Sequence, residues 1–251
     1  MKINILPIPA FQDNYIWLIT NGSRAAVIDP GDAMPVLAYL KQNHLSLDAI
    51  LITHHHADHI GGVAELLRHY PATVYAPSKE AYDFPHIAVL EAQQIDLVSL
   101  NYRLSVMEVP GHTLGHVAYY GANSLFCGDT LFGAGCGRLF EGTPAQMFAS
   151  LQRLAQLPKE TAVYCTHEYT EHNLQFALRL EPNNHDLIER IKETQNIRAV
   201  GKPSLPSSIG LELKTNPFLR CNSKEIAEKT ALLNAEPLAV FTAIRQMRNL
   251  F

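Results

Sequence analysis

The sequence of 251 residues contains no apolar run of the roughly 18–20 residues that a membrane-spanning helix needs. It has no run of Lys or Arg either, and 20 basic against 24 acidic residues give a formal net charge of −4. A slightly acidic chain without a basic cluster is a poor candidate for nucleic-acid binding. The start of the chain has no continuous apolar segment, so we expect no secretory signal. These absences predict a cytoplasmic protein with neither a membrane nor a nucleic-acid partner.

The sequence also has few cysteines, and their spacing does not suggest disulfide bonds. The chain has four widely spaced cysteines, and none of them forms a Cys-x-x-Cys pair. In a chain long enough to bury a sizeable core, this usage predicts reduced thiols. A hydrophobic fraction of 47% excludes a disordered chain.

Short β-rich runs alternate with helical patterns through the first two thirds of the sequence. Asn21-Gly22 lies between two such runs and predicts a hairpin. Thr143-Pro144 predicts the N-cap and the first residue of a helix. After His167 the pattern becomes helical, with a loop predicted over 201–210. The predicted helices there are 174–180, 185–197, 223–233 and 237–247.

The charge balance changes at the same place. Residues 1–171 hold 9 basic and 16 acidic side chains, whereas residues 172–251 hold 11 and 8. We therefore predict two domains, residues 1–170 and residues 171–251.

The most informative segment is THHHADHIGG, residues 53–62. It follows a predicted buried strand and precedes a predicted helix, and strand ends in α/β folds are where sites collect. Imidazole and carboxylate groups are ligands for Zn, Fe or Mn. The ligand candidates in this segment are His54, His56, Asp58 and His59. Four ligands are too many for one catalytic ion that keeps an open position, so we predict two metal ions.

Three further ligand candidates follow predicted strands downstream. They are His112, Asp129 and His167. Because Asp129 has two carboxylate oxygens, it could bridge both ions.

The pattern H-x-H-x-D-H, followed by a His, an Asp and a His, resembles the metallo-β-lactamase superfamily. Other segments are similar to its glyoxalase II (hydroxyacylglutathione hydrolase) family. These segments are FQDNY at 11–15, PGHTLGH at 110–116, GDTLF at 128–132, GCGRLFEG at 135–142, THEYT at 166–170 and the C-terminal basic residues. The resemblance implies an α+β fold: a four-layer αβ/βα sandwich that forms the catalytic domain, followed by an α-helical substrate-binding domain.

The resemblance also implies how the ligands are shared. One ion would be held by His54, His56 and His112, and the other by Asp58, His59 and His167, with Asp129 bridging the two. Asp58 and Asp129 then act as ligands that position hydroxide and not as general bases. The expected cofactors are two divalent ions per chain, Zn first, with Fe and Mn as the alternatives.

The implied reaction is hydrolysis of the thioester of S-(2-hydroxyacyl)glutathione by a hydroxide made on the two ions. The chief substrate would be S-D-lactoylglutathione, giving D-lactate and glutathione in the second step of methylglyoxal detoxification. The residues matching the family's carrier-binding motifs are Arg138, Phe140, Tyr169, Arg245 and Arg248. The sequence has no GxSxG motif, which agrees with hydrolysis without an acyl-enzyme. We expect a monomer that binds only this small-molecule substrate.

Three alternatives use the same ligand pattern. A lactonase, β-lactamase or phosphodiesterase would share the metals and differ in the pocket, and the C-terminal arginines with Tyr169 favour glutathione. A persulfide dioxygenase would use a single iron and leave the second site vacant, which the presence of Asp58, His59 and His167 argues against. A metal-dependent binding protein without turnover would not need the complete ligand set.

Overall fold

The computed structural model describes residues 2–251, so residue 1 of the predicted N-terminal domain lies outside the described residues. The chain forms two compact units. Unit 1 comprises Met1–Glu108 and Gly115–Gly128, and unit 2 comprises Val109–Leu114 and Asp129–Phe251. These units interleave along the chain. The predicted sequential division at residues 170 and 171 stays a prediction.

Among its described residues, unit 1 contains ten strands and three α-helices. The strands are β1 (Asn4–Ala10), β2 (Asn14–Thr20), β3 (Arg24–Ile28), β4 (Ser46–Leu51), β5 (Thr73–Pro77), β6 (Ile87–Val89), β7 (Gln94–Leu97), β8 (Tyr102–Glu108), β9 (Val117–Gly121) and β10 (Ser124–Gly128). The helices are α1 (Ala33–Gln42), α2 (Ala57–Ile60) and α3 (Val63–His69).

Strands β1 to β6 form one sheet in chain order. β1, β2 and β3 pair antiparallel, and the hairpin predicted at Asn21-Gly22 is confirmed because Thr20 lies opposite Ala25. From β3 to β6 the pairing is parallel. Neighbouring parallel strands end at the same edge of a sheet, so the segments after β3 and β4 lie side by side. That edge carries the ligand segment.

The core of unit 1 packs around this sheet. Helix α1 begins at the N-cap Asp32, whose carboxylate accepts a hydrogen bond from the amide of Met34. Its buried residues Ala33, Val36 and Leu40 recur at helical spacing and join the same apolar cluster as the strands.

A second set of strands, β7 to β10, pairs antiparallel in unit 1. Its strand β9 contacts the end of β4 directly. The buried Tyr119 hydroxyl donates to the carbonyl of Ile52 at 2.6 Å, and the amide of Val117 donates to the carbonyl of Thr53 at 2.9 Å. These bonds fix the start of the ligand segment.

Unit 2 contains four short strands and six α-helices. They are β11 (Leu131–Phe132), β12 (Gly135–Cys136), α4 (Pro144–Leu154), β13 (Ala162–Cys165), α5 (Thr170–Leu180), α6 (His185–Ala199), β14 (Ser207–Ser208), α7 (Ile209–Thr215), α8 (Lys224–Lys229) and α9 (Pro237–Asn249).

Local sequence signals explain several of these boundaries. The cap predicted at Thr143-Pro144 is confirmed, since Thr143 and Gln146 form a reciprocal capping box. The helix predicted over 223–233 is shorter, because the chain leaves α8 at Thr230 and Ala231 takes a left-handed φ of 57°. Helix α7 was not predicted, because it begins only at the end of the expected loop. Its N-cap Ser208 accepts a hydrogen bond from the amide of Leu211.

None of the helices among residues 2–251 is long and apolar enough to cross a membrane.

Candidate active site

In unit 1 the ligand segment is anchored by a carboxylate that follows the neighbouring strand. Asp29 is buried directly after β3, with its backbone in the left-handed region at φ 53°. Its side chain accepts hydrogen bonds from the amide and the hydroxyl of Thr53, each at 2.7 Å. It also contacts Nδ1 of His59 at 2.9 Å. Asp29 therefore fixes both ends of the segment that carries the predicted ligands.

The four predicted ligands of unit 1 lie together. Nε2 of His54 is 3.1 Å from Nδ1 of His56, and Oδ2 of Asp58 is 3.6 Å from Nε2 of His59. The rings of His54 and His59 are 4.0 Å apart, centroid to centroid. The predicted loop thus folds back on itself through α2 and gathers its side chains.

Two residues near the start of the chain support Asp58. The amide of Asn14 donates to Oδ2 of Asp58 at 3.0 Å. Gly31 approaches the backbone of Asp58 so closely that a Cβ at Gly31 would lie 1.8 Å from its carbonyl oxygen. A side chain at position 31 would therefore displace the ligand segment.

In unit 2 the three remaining predicted ligands also lie together. Oδ2 of Asp129 is 3.4 Å from Nε2 of His112 and 3.4 Å from Nε2 of His167. Nδ1 of His112 contacts the carbonyl oxygen of Arg138 at 2.7 Å. Oδ2 of Asp129 therefore lies at the same distance from both imidazoles.

These donor sets fit divalent metal ions. Two atoms bound to one zinc ion at tetrahedral geometry lie about 3.3 Å apart, close to the four separations within the units. In three of the predicted ligand histidines, Nδ1 lies beside an oxygen atom. The partner of His59 is the carboxylate of Asp29, and that of His112 is the carbonyl of Arg138. For His54 the partner is the hydroxyl of Thr53, at 3.0 Å. An oxygen partner on one ring nitrogen directs the other toward a metal, an arrangement typical of ligating histidines.

Unit 2 also contains a cavity of about 200 Å³ whose wall is rich in arginine. Its lining residues are Phe132, Cys136, Arg138, Tyr169, Asn173, Arg245, Arg248, Asn249 and Phe251. Within the described part of the chain, this lining includes three arginines and no Asp or Glu. Such a wall favours anions, and guanidinium groups bind carboxylates with two parallel hydrogen bonds.

Helix α9 supplies two of these cations from its last turns. Arg245 is buried, and its Nη1 donates to the carbonyl of Cys136 at 2.7 Å, while its Nη2 donates to Oδ1 of Asn249 at 3.0 Å. Its Nε has no hydrogen-bond partner within residues 2–251, which is uncommon for a buried donor. Burial and the nearby charge of Arg245 lower the pKa of Arg248, so an anion in the cavity would relieve both effects.

Tyr169 connects the ligand cluster of unit 2 to this cavity. Its ring stacks on that of His167, with the centroids 4.7 Å apart and the planes at 6°. It also lines the cavity together with Arg138. The predicted ligand His167 and the arginine-lined wall are therefore separated by one aromatic ring.

Two residues behave differently from the cavity arginines. Phe140 is exposed and is not part of the lining; its ring packs edge-on against His112 at 5.2 Å, and its predicted substrate contact stays a prediction. Cys136 lies in the lining, but burial raises the pKa of its thiol. Nη1 of Arg245 donates to the carbonyl oxygen of Cys136 at 2.7 Å and contacts its Sγ at 3.6 Å, so both the backbone and the thiol of Cys136 help to hold this guanidinium.

Sequence reasoning missed several residues of the site, among them Asp29, Asn14, Asn173 and Phe251. Asp29 could have been found, since an acidic residue followed by Pro30-Gly31 ends a predicted strand beside the ligand strand. Asn173 and Phe251 carry no local signal, because only the packing of distant segments brings them to the cavity.

Comparison with known proteins extends these observations to the whole chain. Residues 11–167 match the family described as the metallo-beta-lactamase superfamily, and residues 168–251 match hydroxyacylglutathione hydrolase C-terminus. A protein named hydroxyacylglutathione hydrolase from Methylobacillus flagellatus is 58% identical over 98% of this chain and 99% of its own length. Another of that name from Dechloromonas aromatica is 52% identical, over 97% and 98%.

Among solved structures, that of TTHA1623 in a di-iron-bound form is 27% identical, with a TM-score of 0.63. It covers 85% of this chain and 100% of its own. The predicted fold class, an α+β metallo-β-lactamase sandwich with a C-terminal helical region, is confirmed by these matches. The chain belongs to the hydroxyacylglutathione hydrolase (glyoxalase II) family of the metallo-β-lactamase superfamily.

Proposed function

We propose that this chain is a thioester hydrolase that cleaves S-(2-hydroxyacyl)glutathione, chiefly S-D-lactoylglutathione, to D-lactate and glutathione. The observation that carries the proposal is the position of Tyr169, stacked on the predicted ligand His167 and lining the arginine-rich cavity. A hydrolytic centre needs its substrate's anionic carrier held beside it, and unit 2 has groups for both tasks. The names of the relatives from Methylobacillus and Dechloromonas support the same reaction.

We assign the metal ligands as the family pattern divides them. One ion would be held by His54, His56 and His112, and the other by Asp58, His59 and His167, with Asp129 shared between them. The donor separations within each unit support this assignment, as does the di-iron form of the similar structure. When bound, such ions supply Lewis-acid hydrolysis: they acidify water and polarise a carbonyl group. We propose zinc first, with iron and manganese as the alternatives.

The chain's own residues then bind and orient the substrate. Glutathione carries two carboxylates, and Arg138, Arg245 and Arg248 provide the cations that can pair with them. The leaving thiolate has a conjugate-acid pKa of about 8.5, so it departs without a dedicated general acid. The buried Cys136 thiol, whose pKa is raised, is a poor nucleophile and takes no part in cleavage.

We further propose that the chain works in the cytoplasm as a monomer. Its four cysteines are free and buried, as expected in a reducing compartment. Gel filtration with light scattering tests the monomer, and cell fractionation tests the location.

The experiment that tests the function combines metal analysis with turnover. We expect about two equivalents of metal per chain and release of free thiol from S-D-lactoylglutathione at pH 7. Removal of metal with a chelator should abolish thiol release, and adding zinc or iron back should restore it. A fully active preparation with less than one metal per chain would contradict the binuclear assignment. Hydrolysis of a lactone or a β-lactam, but of no glutathione thioester, would contradict the substrate.

A further inference from the structure

Asn173 occupies a connecting position in the wall of the cavity. It is buried on α5, one helical turn after Tyr169, and its backbone N–H donates a hydrogen bond to the backbone carbonyl of Tyr169 at 2.9 Å. Residues four apart in a helix lie on the same face, so Asn173 and Tyr169 face the cavity together.

The side-chain amide of Asn173 is used at both of its ends. Its Oδ1 accepts hydrogen bonds from Nε and Nη2 of Arg248, at 3.3 and 3.1 Å. Its Nδ2 donates to the carbonyl of Gly133 at 3.0 Å, in the turn between β11 and β12. One amide therefore holds a guanidinium of α9 against the hairpin that forms the cavity wall.

The hairpin is packed closely around this amide. A Cβ at Gly135 would lie 2.3 Å from Nδ2 of Asn173, so glycine is needed there. Asn216 also holds this hairpin, since its Nδ2 donates to the carbonyls of Phe132 and Gly135 at 3.2 and 2.9 Å. The amide of Asn173 thus has a fixed support, and so does the guanidinium bound to it.

The group that holds Arg248 is neutral, which matters for binding an anion. Arg248 forms no ion pair with a carboxylate in the part of the chain that the structure describes. Its guanidinium also lies 5.7 and 6.0 Å from the ring centroids of Phe251 and Phe176. A carbonyl oxygen fixes the direction of a guanidinium without cancelling its charge. A carboxylate in the same place would form an ion pair and compete with an incoming anion.

We propose that Asn173 is a positioning residue that makes the cavity selective for the charged carrier. By holding Arg248 through a neutral oxygen, it directs the guanidinium while leaving its charge available to a substrate carboxylate. This inference rests on the proposed function for the identity of the carrier.

The test compares two variants that both lose the bond to the carbonyl of Gly133. Asn173→Asp preserves size and places a carboxylate against Arg248, whereas Asn173→Ala removes the acceptor for Arg248 and adds no charge. For Asn173→Asp we expect KM for S-D-lactoylglutathione to rise about tenfold or more, with kcat changed less than about twofold. Asn173→Ala should raise KM less. Neither variant should alter kcat/KM for an uncharged thioester, S-lactoyl-N-acetylcysteamine, and both should keep the wild-type metal content.

A matched control and a double variant separate charge from structure. Asn196→Asp places the same charge on an exposed position of α6 and should leave all constants unchanged. In an Arg248→Ala background, Asn173→Asp should add little to the rise in KM, because its effect acts through Arg248. Three results would overturn the proposal. The first is an equal loss of kcat/KM on both thioesters, and the second is a larger rise in KM for Asn173→Ala than for Asn173→Asp. The third is a rise in KM in the double variant that equals the sum of the two single effects in free energy.

Calorimetry with S-methylglutathione, a thioether that cannot be hydrolysed, separates this inference from the proposed function. If the wild type binds the thioether and Asn173→Asp weakens binding about tenfold, the inference holds even when the wild type hydrolyses no glutathione thioester. If the wild type binds no glutathione thioether, both the inference and the proposed function are wrong.

Discussion

Single residues orient the rings of two predicted ligand histidines, His59 and His112. Asp29 contacts Nδ1 of His59, and the carbonyl of Arg138 contacts Nδ1 of His112. In both rings Nε2 is then the nitrogen that faces the neighbouring carboxylate. The orientation of these ligands thus depends on residues that are not ligands.

Asp29→Asn should weaken metal binding while leaving the chain folded. Asp29 now accepts hydrogen bonds from the amide and the hydroxyl of Thr53 and contacts Nδ1 of His59. The NH2 group of Asn would face one of these donors, so the set of bonds that orients His59 could no longer form. Loss of such a partner typically costs about 10–100-fold in metal affinity, which competition with a chelator measures. Asp32→Asn, at the N-cap of α1, is the matched control. Unchanged metal affinity in Asp29→Asn would contradict a positioning role.

Arg245→Ala should impair the charged carrier selectively. Removing one guanidinium from the wall of the cavity should raise KM for S-D-lactoylglutathione about 10- to 100-fold, because a charge-assisted hydrogen bond contributes about 1.5–3 kcal/mol. Steady-state assays on this substrate and on a small uncharged thioester make the comparison. Equal effects on the two substrates would show that Arg245 only supports the fold.

Whole elements in unit 2 are held in place by buried polar contacts. Glu212 of α7 accepts a hydrogen bond from Arg190 of α6 at 2.6 Å and another from the amide of Ala134 at 2.8 Å. The short helix α7 therefore connects a long helix to the turn of the cavity hairpin. Its stability comes from these tertiary contacts more than from its own seven residues.

The C-terminal end of α5 offers a stability test. Glu181 is buried there and accepts two hydrogen bonds from Arg220, at 2.7 and 2.9 Å, and one from Ser223. Burial alone would raise the pKa of Glu181, but the bonds from Arg220 and Ser223 outweigh it and lower the pKa below 4.5. Glu181→Gln should reduce the free energy of unfolding by about 2 kcal/mol at pH 7, measured by urea denaturation.

The pH dependence of that difference has a definite sign. A lowered folded-state pKa contributes its full stability above the unfolded value of 4.5, and this contribution is lost as the pH falls through the folded value. The difference between wild type and Glu181→Gln should therefore be constant from pH 7 to about pH 5 and shrink at lower pH. A difference that instead grew on acidification would refute the ion-pair explanation.

Across the whole molecule, charge is unevenly distributed along the chain. Residues 1–171 carry an acidic excess, with 9 basic and 16 acidic side chains, and residues 172–251 a basic one, with 11 and 8. Because the Debye length falls from about 10 Å at 0.1 M salt to about 3 Å at 1 M, attraction to the arginine-lined cavity should weaken with salt. KM for S-D-lactoylglutathione should rise severalfold over this range, and KM for an uncharged thioester should not. A parallel rise for both would indicate an effect of salt on the catalytic groups.

Much of the fold followed from local signals. The hairpin at Asn21-Gly22 and the cap at Thr143 depend on neighbouring residues, and the structure confirms both. Helix α7 could not be predicted, because its sequence overlaps a segment rich in proline and serine. The residues that stabilise it through Glu212, namely Ala134 and Arg190, are distant in sequence. The short strand β6 has only three residues, too few for a periodic pattern to identify it.

The sequence by itself determined the family and the residue types of the site, because the spacing of imidazoles and carboxylates in residues 53–62 is fixed by local chain geometry. The tertiary structure alone decided which non-ligand groups orient them. Asp29 reaches His59 because β3 and β4 are parallel neighbours, and Asn173 of α5 reaches Arg248 of α9, 75 positions further along the chain, because the tertiary fold brings these two side chains together. Contacts between residues so distant in sequence depend on how elements pack, and no local pattern encodes them.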